Sequence, residues 1–219
     1  MNTKKLATLP LALAGLLAAF SADASVLIIG QPASGGNCFP FGCGSGSVYQ
    51  QVYASSNFAG PITISDIEFF LDDGNSLNSG TFTLSLSTTS KAVDGLDTSN
   101  FANNLGADNA LFGVYALAGA APATLQFFGT PFTYNPANGN LLLDIHSTIA
   151  QPGSAFFEAR NGDANGLFSR AHDFGSGFAD YGLVTGFSYD EVQIPEPTTL
   201  LLCGLGLAGL AFGKRRKLS

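Results

Sequence analysis

The chain has 219 residues and a formal net charge of −7, with 9 Lys and Arg against 16 Asp and Glu. Six of the cations sit at the two ends, so residues 25–193 carry only Lys91, Arg160 and Arg170 against 14 acids, a formal charge of −11. A surface of that sign repels phosphate and anionic lipid and offers no basic groove, which excludes a nucleic-acid-binding role.

The first element is a secretory signal peptide over residues 1–24. Lys4-Lys5 forms its charged start, Leu6 to Phe20 its apolar middle, and Ala22-Asp23-Ala24 a small-residue cleavage site before Ser25. The partners implied are the Sec export machinery and signal peptidase. Residues 25–193 then form one exported domain, long enough for a substantial core and interrupted by no Pro-rich or charged linker.

Within that domain the pattern predicts ten short strands: Val26–Ile29, Ser47–Ala54, Ile62–Leu71, Thr81–Thr88, Leu111–Leu117, Thr124–Phe128, Leu141–His146, Ala155–Arg160, Gly166–Arg170 and Leu183–Tyr189. In Thr81–Thr88 apolar and hydroxyl side chains alternate, so Phe82, Leu84 and Leu86 share one buried face. In Ile62–Leu71 the apolar parity shifts between Ile64 and Ile67, which predicts a bulge near Asp66. Gly, Asn and Asp cluster between the strands, where turns need left-handed backbone or Asx hydrogen bonds. The one helical turn expected is Thr98–Leu105, capped by Thr98 or Ser99. With so little helix, the fold class is all-β: an antiparallel β-sandwich, with a jelly-roll-like arrangement as one form of it.

Candidate chemistry is sparse. Cys38 and Cys43 enclose Phe39-Pro40-Phe41-Gly42, a loop that oxidation outside the cytoplasm can close as a disulfide. The other readings of these thiols are weaker, because no second Cys or His pair completes a zinc site and the Cys-x-x-Cys spacing is absent. Only His146 and His172 are histidines, and no Gly-x-Ser-x-Gly elbow accompanies the serines, so no catalytic constellation is recognised. Asn161, Asp163 and Asn165, followed by Gly166, match the opening of a calcium loop, but the twelfth position is His172 where such a loop has Glu; a hairpin turn is the alternative. Asp72, Asp73 and Asn75 form a second acidic loop. Asp66 and Glu68 share a strand face, which a solvated strand edge accounts for. Calcium aside, no cofactor is expected. Tyr49, Tyr53, Tyr115, Tyr134, Tyr181 and Tyr189 are either core or stacking platforms for a glycan.

The C-terminal element, residues 194–219, has three parts. Ile194-Pro195-Glu196-Pro197 is held extended by its two prolines. Thr198 to Gly213 is uncharged and, as a helix, rises about 24 Å, a short membrane span. Lys214, Arg215, Arg216 and Lys217 form a cationic stop that keeps this end cytoplasmic. Cys203, within the span, reads as an apolar filler or as a site of acylation. An ordinary C-terminal anchor is another reading of the same layout.

In this order, Pro195-Glu196-Pro197, the Gly- and Leu-rich run and the terminal cations resemble the PEP-CTERM sorting signal of bacterial surface proteins. The resemblance implies that an exosortase-type enzyme of the membrane recognises the motif, removes the tail and passes the domain toward an exopolysaccharide-rich exterior. The segments Tyr49–Tyr53, Gly60–Ile64, Leu84–Thr89 and Asn104–Asp108 are similar to a recurring ectodomain of such proteins, which supports the fold class and the family only. The reading is thus a Gram-negative bacterial protein held first in the cell membrane and then at the cell surface or in the extracellular matrix. Its expected role there is structural, in association with exopolysaccharide; the alternative is a lectin-like, calcium-assisted glycan-binding module.

Overall fold

The computed structural model describes residues 25–44, 46–173 and 179–192. The expected signal peptide, Pro195 to Pro197, the apolar segment with Cys203 and the Lys214 to Lys217 cluster lie outside the described residues.

In chain order the strands are β1 (Ser25–Ile29), β2 (Gly35–Asn37), β3 (Val48–Tyr53), β4 (Ile62–Asp73), β5 (Ser79–Thr89) and β6 (Ala110–Leu117). They continue with β7 (Thr124–Tyr134), β8 (Asn140–Gln151), β9 (Phe156–Asn161), β10 (Phe168–His172), β11 (Tyr181–Leu183) and β12 (Thr185–Glu191). All pair antiparallel, and the described residues contain no α-helix. The larger sheet runs β1-β12-β4-β9-β11, with β7 on the other side of β4 and β2 on β9; the smaller runs β10-β3-β8-β5-β6. The two layers enclose one apolar core, in which Tyr53 of β3 meets Phe187 of β12 at 5.1 Å between ring centroids.

Alternation decides which side chains reach that core. On β5, Phe82, Leu84 and Leu86 are fully buried, as their spacing requires. On β4 the pairing with both neighbours slips at Ser65: Tyr189 lies opposite Ile64 while Ser188 lies opposite Asp66, and Phe132 lies opposite Ile64 while Phe128 lies opposite Asp66. This bulge lets Ile62, Ile64, Ile67 and Phe69 all point inward despite their change of parity.

Some boundaries differ from expectation. Strand β7 continues past Phe128 through Gly129-Thr130-Pro131, which bow out opposite Ser65. Proline is tolerated there because β7 pairs only with β4 and leaves its other side free of a ladder. Strand β2, a three-residue Gly35-Gly36-Asn37 segment, has no apolar pattern to announce it. The expected run Leu183–Tyr189 is divided between β11, on β9, and β12, on β1 and β4. The helical turn is a 3-10 turn at Phe101–Asn104, and its cap is Asn100, whose side chain accepts from the Ala102 amide, in place of Thr98 or Ser99.

The loop Cys38–Cys43 closes the core. The two cysteines are disulfide-bonded with their Cα atoms 5.1 Å apart, and the loop drives Phe39 and Phe41 inward. Phe41 is fully buried against Phe69, Phe82, Phe127 and Phe157 at 4.9–5.6 Å, joining rings from both sheets. Buried Asn78 holds the loop in place: its Nδ2 donates to the Pro40 and Cys43 carbonyls at 2.7 and 3.2 Å, and its Oδ1 accepts from the Gly153 amide. Position 42 must be glycine, since a Cβ there would lie 1.8 Å from the Ala155 carbonyl oxygen. Phe41→Ala is expected to lower the unfolding free energy by about 3–5 kcal/mol. Phe128→Ala, at a side chain 71% exposed, should change it by less than about 0.5 kcal/mol. Denaturant titration of the two variants checks both values.

Candidate functional site

The described residues end at Val192, with Gln193 and Ile194 before Pro195. The last residues of β12 pair with the start of β4, as Asp190 with Thr63 and Glu191 with Ile62, and the Val192 amide donates to the Pro61 carbonyl at 3.1 Å. Beside this exit lies a cleft of about 260 Å³ whose apolar wall is Leu27, Phe58, Pro61, Ile62, Tyr189 and Val192. Asn57 and Glu191 add polar edges, and Gly60 leaves part of the wall bare. On the next strand Ser25 pairs with Tyr189, so both chain ends leave the domain from neighbouring strands at one end of the larger sheet.

Two carboxyl groups share the bulged part of β4. Asp66 and Glu68 lie in successive rows with Phe128 and Gln126 of β7 opposite them. Gln126 Nε2 donates to Asp66 Oδ2 at 3.3 Å and to Glu68 Oε1 at 2.9 Å. The expected solvated edge is corrected here: β4 is flanked by β12 and β7, Asp66 is 3% exposed, and its Oδ1 has no hydrogen-bond partner. Burial, with the repulsion of Glu68 second, raises the Asp66 carboxyl from 3.8 to about 6.

The calcium-loop residues connect β9 to β10, which lie in different sheets, so the hairpin alternative does not describe this segment. Asp163 Oδ1 accepts from the Ser34 hydroxyl at 2.9 Å, and Oδ2 lies 3.6 Å from Arg160 Nη1. Asn165 donates its Nδ2 to the Asp163 carbonyl, and the amides of Gly162, Ala164 and Gly166 all donate to Asp180. A cation on Asn161, Asp163 and Asn165 would have to displace the serine and the guanidinium. Among the described residues no group of three or more His, Cys, Asp or Glu side chains is placed to hold a metal ion.

The histidines are separated by the sheet. His146 pairs with Val48 and His172 with Tyr49, across β3, which sets them on opposite faces. His146 shares a 3.1 Å hydrogen bond with Asp144, which raises its pKa. His172 is 3% exposed beside Phe39; burial, then repulsion by Arg170, lowers it to about 4. Among the tyrosines, Tyr49, Tyr53 and Tyr134 are fully buried, which removes them as stacking platforms. Burial pushes the Tyr49 hydroxyl up to about 12.

Two buried amides escaped the sequence reading. Gln51 crosses between the layers: its Nε2 donates to the Leu183 carbonyl and its Oε1 accepts from the Leu183 amide, both at 2.8 Å, and from the Tyr49 hydroxyl. Gln50, on the other face of β3, accepts from Asn104 at 2.7 Å and donates to Asp144 at 2.9 Å, fastening the 90–109 segment across the smaller sheet. The available signal was a Gln-Gln pair inside Val48–Tyr53, polar on both faces of an otherwise apolar strand.

Residues 193–217 match the family model of the PEP-CTERM protein-sorting motif. A search of curated proteins finds no match. The motif defines a class of protein, one whose folded domain carries a C-terminal sorting signal. Over residues 193–217 the chain is similar to proteins of that class. Among the described residues no helix is long and apolar enough to cross a membrane.

Asp66 and His172 give stability opposite pH dependences. Because Asp66 is raised, its contribution is present below 3.8 and is lost as the pH rises through about 6. Because His172 is lowered, its contribution is present above 6.5 and is lost as the pH falls through about 4. Asp66→Asn should therefore raise stability at neutral pH by on the order of 2 kcal/mol, and below pH 3.8 the gain should vanish. Urea midpoints of parent and variant across that range test this.

Proposed function

We propose that this chain is an exported structural protein of a bacterial surface, handed to its destination by its own tail. The observation that carries the reading is the sorting motif at residues 193–217, which implies processing by an exosortase-type enzyme. In this reading residues 1–24 are removed on export by the Sec route and signal peptidase. Residues 198–213 tether the precursor in the cell membrane of a Gram-negative host, with Lys214 to Lys217 on the cytoplasmic side. The tail is cut near Pro195, Glu196 and Pro197, and the β-domain is released to the surface or to an exopolysaccharide-rich matrix.

A domain of this build suits such a role. Eight of its strands divide between the sheets as β1-β12-β4-β7 and β3-β8-β5-β6, which supports a jelly-roll-like sandwich. The disulfide between Cys38 and Cys43 suits an oxidising exterior.

One observation favours glycan binding as a second reading. Phe128, 71% exposed, projects from the row next to Gln126 and Glu68, pairing an aromatic face with hydrogen-bonding groups on one sheet surface.

Intact-mass measurement of secreted protein tests the first reading. The expected mature species begins near Ser25 and lacks Lys214 to Lys217, and replacing Pro195, Glu196 and Pro197 by alanine should leave the uncut precursor in the membrane. Secreted protein that retains the four cations would contradict it. For the second, Phe128→Ala should abolish retention on the host's exopolysaccharide, measured with and without a calcium chelator; equal retention of parent and variant rejects that surface.

A further inference from the structure

Only Gln193 and Ile194 separate Val192 from Pro195. Three extended residues reach at most ~10 Å, no more than the width of one helix with its side chains, about 10–12 Å. An enzyme that grips Pro195-Glu196-Pro197 from within a bilayer is thereby brought against the end of the sandwich where β12 stops. That end holds the cleft beside Val192, and Ser25 leaves from the adjacent strand.

We propose that this cleft is a docking surface for the enzyme that processes the tail. The inference rests on the processing reading above and adds to it: recognition then involves the folded domain as well as the three motif residues. The lining states what the partner must bring. Leu27, Phe58, Ile62 and Val192 offer apolar contact, and Tyr189 adds an aromatic ring. Asp190 and Glu191 are exposed at the end of β12 and ask for a cationic group on the enzyme. The same two acids disfavour an anionic lipid headgroup as the occupant, because like charges repel.

Gly60 supplies the probe. A Cβ built there meets nothing within 4 Å and the backbone is not left-handed, so Gly60→Trp places a bulky ring at the cleft wall without a clash at its own Cβ. In cells making the full precursor and the processing enzyme, Gly60→Trp should slow tail removal by about tenfold, the loss of 1.4 kcal/mol of contact, while the exported domain stays as protease-resistant as the parent. Ten Gly and Ser residues inserted between Val192 and Gln193 add about 16–19 Å of mean reach and should bring parent and Gly60→Trp to one slower rate, because the motif then reaches the enzyme without the domain seated. A photo-crosslinking residue at position 60 should capture the enzyme.

Unchanged processing of Gly60→Trp overturns the docking surface alone, and so does a crosslinker that captures only lipid. A parent chain that never loses Lys214 to Lys217 overturns the processing reading, and the docking surface with it.

Discussion

The contact on which this fold turns is the burial of Phe41 between the two sheets. Phe69, Phe127 and Phe157 come from the larger sheet and Phe82 from the smaller, and each presents its ring to Phe41. A side chain from a loop reaches that depth only if the loop is held to a narrow set of shapes. The disulfide closes its base, Asn78 satisfies its carbonyls and Gly42 lets it pass the Ala155 backbone. Each constraint removes conformations that would leave backbone polar groups buried and unpaired.

The buried amides act on the same problem from the other side. Gln51 engages both backbone groups of Leu183, so a side chain of one layer completes the hydrogen bonding of the other. Gln50 and Asn104 do the equivalent for the 90–109 segment, which covers the outer face of β3 and β8 and leaves Val52 and Leu142 fully buried. Asp97 shapes that segment locally: the Asn103 amide, then the Asn100 and Ser99 backbone amides, hold its carboxyl down to about 2. Asp66, by contrast, is a buried carboxyl with an orphaned oxygen at the β4 bulge.

These features divide the domain by purpose. The disulfide end of the domain closes the core, and β12 stops at the opposite end, ahead of the residues that match the sorting motif. Antiparallel pairing of β1 with β12 produces that arrangement without further devices, since the first strand of such a pair must begin where the second one ends. A domain built this way can be tethered at one end while its remaining surface faces outward.

Much of this was written in local order. Apolar alternation marked Phe82, Leu84 and Leu86 as core, the shift of parity after Ile64 marked the bulge, and the succession Pro195-Glu196-Pro197, apolar run and cations marked the sorting motif. Such signals survive because they depend on neighbours a few residues apart. The burial of Asp66, Gln50, Gln51 and three tyrosines, the division of Leu183–Tyr189 between partners, and the cleft at the chain exit depend on what another strand or loop lays over them. The sequence by itself determined which faces are apolar and how the tail is built. Only the tertiary structure decided which polar groups are enclosed and which ends meet, because enclosure and pairing are relations between segments far apart in the chain.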